Sequence, residues 1–260
     1  MKLLGYLLLF ATALQAQNFE LRVQAKTLIP GKKIYLEYVN EQGKVVKVDS
    51  ATPSAQQKVS FKGQVKDQGA FYLVNFFDTP KPQKVLVILE GGESIDLEAD
   101  GVNDEEGKSN FTLKGDYPNV KFMLELMAIS KEMEKKVRKW NQEIQVDPKQ
   151  EKRIQAEFTQ AQATSTAKIK ELIPQMGSHL VALWATNFLP AEKEMASLED
   201  IANRLAKARP NHPQVKQFVA NLQRLQGVNE GAMAPEINLA TPEGPNLALS
   251  SLRGKYVLID

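Results

Sequence analysis

From Asn18 onward the hydrophobic positions alternate with polar ones. Phe19, Leu21 and Val23 come first, and Ile34, Leu36 and Tyr38 follow after a turn opened by Gly31. This period of two is the signature of half-buried strands. The stretch "NEQGK" (Asn40–Lys44) carries hairpin turn chemistry, and Val45, Val46 and Val48 resume the strand pattern beyond it. Further runs occur at Val59 and Phe61, Phe71 to Phe76, Val85 to Leu89, Ile95 and Leu97, and Phe111 and Leu113. The stretch "EGGES" (Glu90–Ser94) is a glycine turn, read as joining "VLVILE" and "SIDLEAD" in a hairpin. Short strands at roughly ten-residue spacing predict a β-sandwich or open barrel over residues 18–115, built of antiparallel strands.

After residue 115 the period changes to 3.6. Val120, Met123, Met127, Met133, Val137, Trp140 and Ile144 share one face of a helix spanning about Pro118 to Gln145. "DPKQ" (Asp147–Gln150) is a start signal, with Asp at the cap and Pro in the first turn. It opens a second helix carrying Ile154, Phe158, Ala161, Ile169 and Leu172, which ends before Pro174. Ser178–Leu189 reads as a short buried helix. "SLED" (Ser197–Asp200) reads as a capping box for a helix that stops at Pro210, and Pro213 begins a last helix closed by Gly227. Residues 116–227 therefore form a helical middle region. The fold class is α+β multidomain: an antiparallel β-sandwich, the helical region, and a short third segment at 228–260.

The first residues are of another kind. "MKLLGYLLLFATALQAQ" places one cation, Lys2, before an apolar run from Leu3 to Leu14 and a small-residue site around Ala16. That is the layout of a secretory signal peptide, so residues 1–16 are expected to be removed on export to the periplasm or cell envelope. The run is short for a hydrocarbon layer of ~30 Å, and no stable membrane span is expected after cleavage. The sequence contains no cysteine, so a lipid-anchored cysteine is excluded.

Charge narrows the partners. Lys+Arg is 33 and Asp+Glu 31, and removing Lys2 with the signal leaves 32 against 31, a net charge of +1. Such a balance supplies no electrostatic reason for a nucleic-acid partner. Zero cysteines exclude a disulfide, a thiolate nucleophile, a cysteine-based zinc site and a CxxC redox pair within these residues. Two histidines, His179 and His212, exclude a histidine-rich metal site. "DGVNDEEG" (Asp100–Gly107) lacks the ligand spacing of an EF-hand and reads as a solvated loop. "DTPKP" (Asp78–Pro82) is a loop in which proline stops strand pairing. Phe71, Tyr72, Phe76 and Phe77 read as sandwich core, and Met123, Met127 and Met133 as helix packing. The interleaved charges of "KEMEKKVRKW" read as a solvated helix face with i,i+4 pairs. His179 reads as structural. No catalytic, cofactor-binding or metal-ligating residue is assigned, and no cofactor is expected.

The final segment carries a more specific pattern. "GAMAPEINLATPEGPNLALSSLRGKYVLID" contains Gly231, the pair Ala234-Pro235, alternating Ile237 and Leu239, and Gly244 in a turn. Leu247, Leu249 and Leu252 follow, then Gly254-Lys255 and the strand-like stretch Tyr256–Asp260, apolar from Tyr256 to Ile259. This pattern resembles the opening of the redoxin branch of thioredoxin-like proteins, closest to the exported TlpA/ResA-like thiol–disulfide oxidoreductases. "KVVKVDSA", "VSFKGQV" and "VLVILEGGESIDLEAD" are similar to a domain of unknown function that often precedes such redoxins.

The resemblance implies that Ile237–Leu249 forms a hairpin, that Leu249–Gly254 makes a helical turn, and that Tyr256–Asp260 is the first central strand of a thioredoxin-like domain. Residues 228–260 would then be the incomplete start of that domain, cut before the CxxC motif where family members perform the exchange. The implied function is the N-terminal portion of an exported thiol–disulfide oxidoreductase acting in cell-envelope redox homeostasis. Residues 1–260 would be inactive by themselves, and their partners would be exported proteins with cysteines or disulfides. Two alternatives stand beside it: a fragment of a peroxiredoxin-like peroxidase, and a non-enzymatic cell-envelope binding module.

Overall fold

The computed structural model of the chain describes residues 18–77, 79–227, 236–241 and 244–258. The expected signal peptide, and the Gly231 and Ala234-Pro235 elements of the redoxin pattern, lie outside them.

Eight strands build two four-stranded sheets. They are β1 (Asn18–Ala25), β2 (Ile34–Val39), β3 (Val45–Ala51), β4 (Lys58–Gln64), β5 (Ala70–Phe76), β6 (Lys84–Leu89), β7 (Ser94–Ala99) and β8 (Phe111–Lys114). One sheet has the order β4-β1-β7-β8 and the other β3-β2-β5-β6. Alternation sorts the side chains as the period of two requires. Leu21, Val23, Phe61, Ile95 and Leu97 are buried from the first sheet, and Ile34, Leu36, Tyr72, Val74, Phe76, Val85 and Val87 from the second. Tyr72, Phe76 and Phe77 are core residues, and Phe71 on the opposite face of its strand is half-buried.

The "NEQGK" hairpin joins β2 to β3, with Val39 opposite Val45 and the Asn40 amide donating to the Lys44 carbonyl at 2.9 Å. Gly43 takes φ +74° in this turn, and open space surrounds the position where a Cβ would stand. Gly43→Ala should therefore cost only the left-handed backbone penalty, about 1–2 kcal/mol in a urea melt.

"EGGES" departs from the expected hairpin. β6 pairs with β5, whereas β7 pairs with β1 and β8, so the turn carries the chain from one sheet to the other. The Gly92 amide donates to the Asn18 carbonyl at 2.6 Å and the Glu20 amide to the Glu93 carbonyl at 2.8 Å, which places β7 alongside the start of β1. The β1–β7 pair is consequently parallel, while every other pair in the two sheets is antiparallel. A short two-glycine link cannot reveal from sequence whether it folds back beside its own strand or crosses the core.

The helices are α1 (Pro118–Val146), α2 (Glu151–Leu172), α3 (Leu180–Ala185), α4 (Met195–Ala208) and α5 (Pro213–Gly227). α1 and α2 pack through Trp140, Ile154 and Ala161, with Met133, Val137, Ile144 and Phe158 around them. The Asp147 side chain accepts from the Lys149 amide at 3.1 Å and so caps a short 3-10 turn over Pro148–Gln150, which leads directly into α2. Lys136 pairs with Glu132 at 3.2 Å and Lys139 with Glu143 at 3.7 Å, the i,i+4 pattern of a solvated face. α4 starts earlier than its sequence suggests. Glu194 already donates its amide to the Pro190 carbonyl at 3.0 Å, so the chain is turning before Ser197, which falls inside the first turn. No described helix is long and apolar enough to cross a membrane.

The contacts divide the chain into two units, meeting at Lys216 and Gln217. In the second unit, β9 (Asn238–Ala240) and β10 (Asn246–Ala248) form the expected antiparallel hairpin, and the Leu249 amide donates to the Ile237 carbonyl at 2.7 Å. A 3-10 turn over Leu249–Leu252 follows. The expected strand at Tyr256–Asp260 does not form over its described part: Tyr256, Val257 and Leu258 pair with no strand, and Tyr256 and Leu258 are fully exposed. Ile259 and Asp260 lie outside the described residues. An apolar strand of that type needs neighbours and cover on both faces, and no described residue supplies either.

Candidate functional site

The outer face of the sheet β4-β1-β7-β8 is polar by the same alternation that sends Leu21, Val23 and Leu97 inward. Arg22, Lys58, Ser60, Asp96, Glu98 and Lys114 line a groove of about 600 Å³ there. Its floor is ordered by Arg22. The Arg22 Nε and Nη2 donate to the two Asp96 carboxylate oxygens, at 2.5 and 3.1 Å, and Nη1 donates to Ser94 Oγ at 2.7 Å and Glu20 at 3.1 Å. The Asp96 carboxyl is held below its usual value by this hydrogen-bonded guanidinium, and Glu20 by its hydrogen bond from Lys62. Asp96 is exposed and Glu20 half-buried, so water and salt screen the pairs. The result is a polar strip with charges of both signs.

A second, partly buried cluster ties the sandwich to the helices. Glu90, directly after β6, is nearly buried and accepts from three donors. The Leu180 amide donates to its Oε1 at 2.7 Å, Arg209 Nη2 donates to the same oxygen, and His179 Nδ1 lies 2.6 Å from Oε2. Arg209 also donates to the Ser178 carbonyl at 2.9 Å and the Gln68 carbonyl at 2.7 Å. Burial alone would push the Glu90 carboxyl up. The His179 hydrogen bond, the Arg209 charge and the Leu180 amide outweigh burial and hold it below its usual value. The hydrogen bond to Glu90 raises His179. Three residues on, Glu93 is buried and accepts from the Glu90 and Gly91 amides at 2.6 Å each, yet burial keeps its pKa raised.

His179, read from sequence as structural, thus belongs to an interdigitated ion cluster. Glu90 and Arg209 were not legible as its partners, being separated from each other by 119 positions. The acidic loop Asp100–Gly107 uses its carboxylates internally: Asp104 accepts from the Lys108 amide at 2.7 Å and Asp100 from the Asn110 amide at 2.6 Å. Among the described residues no group of three or more potential ligands is arranged to hold a metal ion.

The family described as a domain of unknown function, DUF4369, matches residues 19–170. The chain belongs to that family. No curated protein matches the chain. The DUF4369 match covers the whole sandwich, α1 and nearly all of α2, so both sheets, the polar groove and Glu90 fall within it. His179 and Arg209 fall beyond it, on segments that fold back onto Glu90.

Proposed function

We propose that this DUF4369 chain serves in an exported thiol–disulfide oxidoreductase, where its sandwich and helices recognise or position the polypeptide whose cysteines are exchanged. The observation that carries the reading is the redoxin-like pattern after Gly231, with the hairpin β9–β10 and the turn Leu249–Leu252 at the places where that pattern calls for them. The polar groove on the sandwich supports the recognition role, because an extended segment can lie along it. The N-terminal layout of Lys2, an apolar run and Ala16 supports export.

The coding sequence after the Asp260 codon is the direct test. A reading frame that continues through an aromatic-rich segment into CxxC supports the proposal, and an immediate stop codon overturns it in favour of a binding module. N-terminal sequencing of the envelope fraction checks export, with a mature chain starting near Gln17 expected. In an insulin-reduction assay, the 260 residues by themselves should give turnover equal to buffer, because they contain no cysteine to form the thiolate. Turnover above buffer from a clean sample would refute the assignment of the chemistry to a CxxC segment.

A further inference from the structure

The distal half of α1 carries a surface that the rest of the fold leaves open. Buried residues of α1 cluster at its start, from Asn119 to Leu126, and beyond them only Trp140 is buried, against α2. Ser130, Met133, Glu134, Val137, Arg138 and Asn141 line a shallow depression of about 440 Å³ along the helix. Their spacing of three and four residues puts them in one stripe. Met133 and Val137 are half-buried there, and they also border a cleft of about 400 Å³ beside α2, where Phe158 and Phe188 are half-buried too. Charge sets the stripe apart. Of the acids between Lys131 and Val146, Glu132 pairs with Lys136 and Lys168, and Glu143 with Lys139 and Arg153. The remaining acid, Glu134, is exposed beside Arg138, one turn on, in the order that favours pairing within a helix. Yet neither joins an ion pair or a hydrogen bond among the described residues. Lys131 and Lys135 lie outside the stripe.

We infer that this stripe is a docking site for a second copy of the chain, α1 against α1 in antiparallel order about a two-fold axis. Such an axis puts the same surface on both sides, so the patch must be complementary to itself. Centred on Lys136, the antiparallel copy brings Glu134, two residues before the centre, level with the partner's Arg138, two residues after it. The axis makes this contact twice. At about 1.5 Å of rise per residue, Val137 then lies within about 3 Å, along the helix, of the partner's Val137 and the partner's Met133, so apolar groups meet at the middle. Ser130 and the partner's Asn141, six before and five after the centre, come within one residue of level, a hydroxyl against an amide at each end. Centring on Glu134 or on Arg138 would set like charges opposite each other, and so would a parallel copy. The bodies fit as well. With Lys136 at the centre, the partner's Leu126 falls level with Val146, the last residue of α1, so the sandwich-bound start of the partner's helix lies beyond that end. Six residues a side is few beside the roughly 20–30 of a standard interface, so the dimer is expected to be weak and reversible. This surface is independent of thiol chemistry and stands whether or not the proposed oxidoreductase role does.

Sedimentation equilibrium of the mature chain tests the inference. The wild-type protein should show a reversible monomer–dimer equilibrium. Glu134→Arg alone and Arg138→Glu alone should each weaken it about tenfold, since each turns two attractions into two repulsions. An equimolar mixture of the two single variants should form a heterodimer of wild-type strength, because opposite charges again face each other at both contacts. The double variant should recover for the same reason. Both positions are exposed, so each variant should keep the wild-type urea midpoint. A protein that stays monomeric up to about 1 mM overturns the inference. So does a dimer that ignores the single swaps, which would point to another surface such as the exposed Tyr256–Leu258 stretch. Single swaps that weaken association, with a mixture that fails to restore it, would overturn the antiparallel two-fold register.

Discussion

Glu90→Ala should destabilise the chain by about 3–5 kcal/mol, read as a lower urea midpoint with little change in slope. The size follows from what the carboxylate leaves behind. Arg209 is 15% exposed at its side chain and would lose its ion-pair partner. The Leu180 amide would lose its acceptor. Removing one member of a largely buried ion pair costs more than the pair contributes, because the Arg209 charge then keeps only its two carbonyl acceptors and no opposite charge. Glu90→Gln should fall between, since an amide oxygen can still accept from Leu180. If Glu90→Ala unfolds within experimental error of wild type, the cluster does not hold the helices to the sandwich.

The same cluster sets a pH window. The Glu90 pKa is lowered in the fold, so its contribution is present above the ordinary 4.5 and is lost as pH falls through the lower folded value. The His179 pKa is raised, so its contribution is present below the ordinary 6.5 and is lost as pH rises through the higher folded value. Their joint effect is complete between 4.5 and 6.5. Glu93 and His212 act oppositely, each favouring its neutral form through burial. They largely cancel in the stability difference between wild type and His179→Asn. That difference should peak in the window and decline on both sides. It should be small, because His179 is 41% exposed at its side chain and solvent screens it. A difference independent of pH from about 4 to 8 would show that the His179–Glu90 contact is not ionic in solution.

Gly69→Val should be the most damaging single substitution in the same region, costing on the order of 3–6 kcal/mol from backbone strain and overpacking together. Gly69 has φ +126°, which an L side chain rarely adopts. A Cβ there would stand 2.9 Å from Leu180 Cδ1, 3.1 Å from Glu90 Cγ and 3.1 Å from the Leu89 carbonyl oxygen. The leucine tip can swing aside, but the Leu89 carbonyl belongs to the end of β6 and cannot. Glu90 is also held by its three donors, so any shift disturbs the ion cluster. Gly69 ends a turn in which Asp67 and Gln68 are also left-handed, and its carbonyl accepts from His212, so displacement propagates to the start of α5. Gly43→Ala is the matched control, a left-handed glycine with open space around it. Equal melting temperatures for the two variants would show that the crowding at Gly69 relaxes at no cost.

Local chemistry made much of the molecule legible. The alternation of Phe19, Leu21 and Val23 marked a strand because a pleated chain sends successive side chains to opposite faces. The 3.6 period through Met123 and Trp140 marked a helix, and Asp147 its successor's start, because caps and periods are decided within a few residues. The same locality let the polar groove go unread. Arg22 and Asp96 each looked like an ordinary outward-facing strand residue, and they meet only because β1 and β7 are neighbours in register. Glu90 was hidden in a glycine turn for a related reason. Whether "EGGES" folds into a hairpin or crosses the sandwich depends on which strands lie free to pair, and those are β1 and β8, distant in sequence.

By itself, then, the sequence determined the strands of the sandwich, the helices, most of their boundaries and the absence of any sulfur nucleophile, because each rests on periodicity, turn chemistry or residue type. Only the tertiary structure decided the parallel β1–β7 pair and the Glu90–His179–Arg209 cluster. Those depend on burial and on contacts between residues far apart in the chain, where a group's charge and hydrogen-bond role are set by what packs against it rather than by its neighbours in sequence.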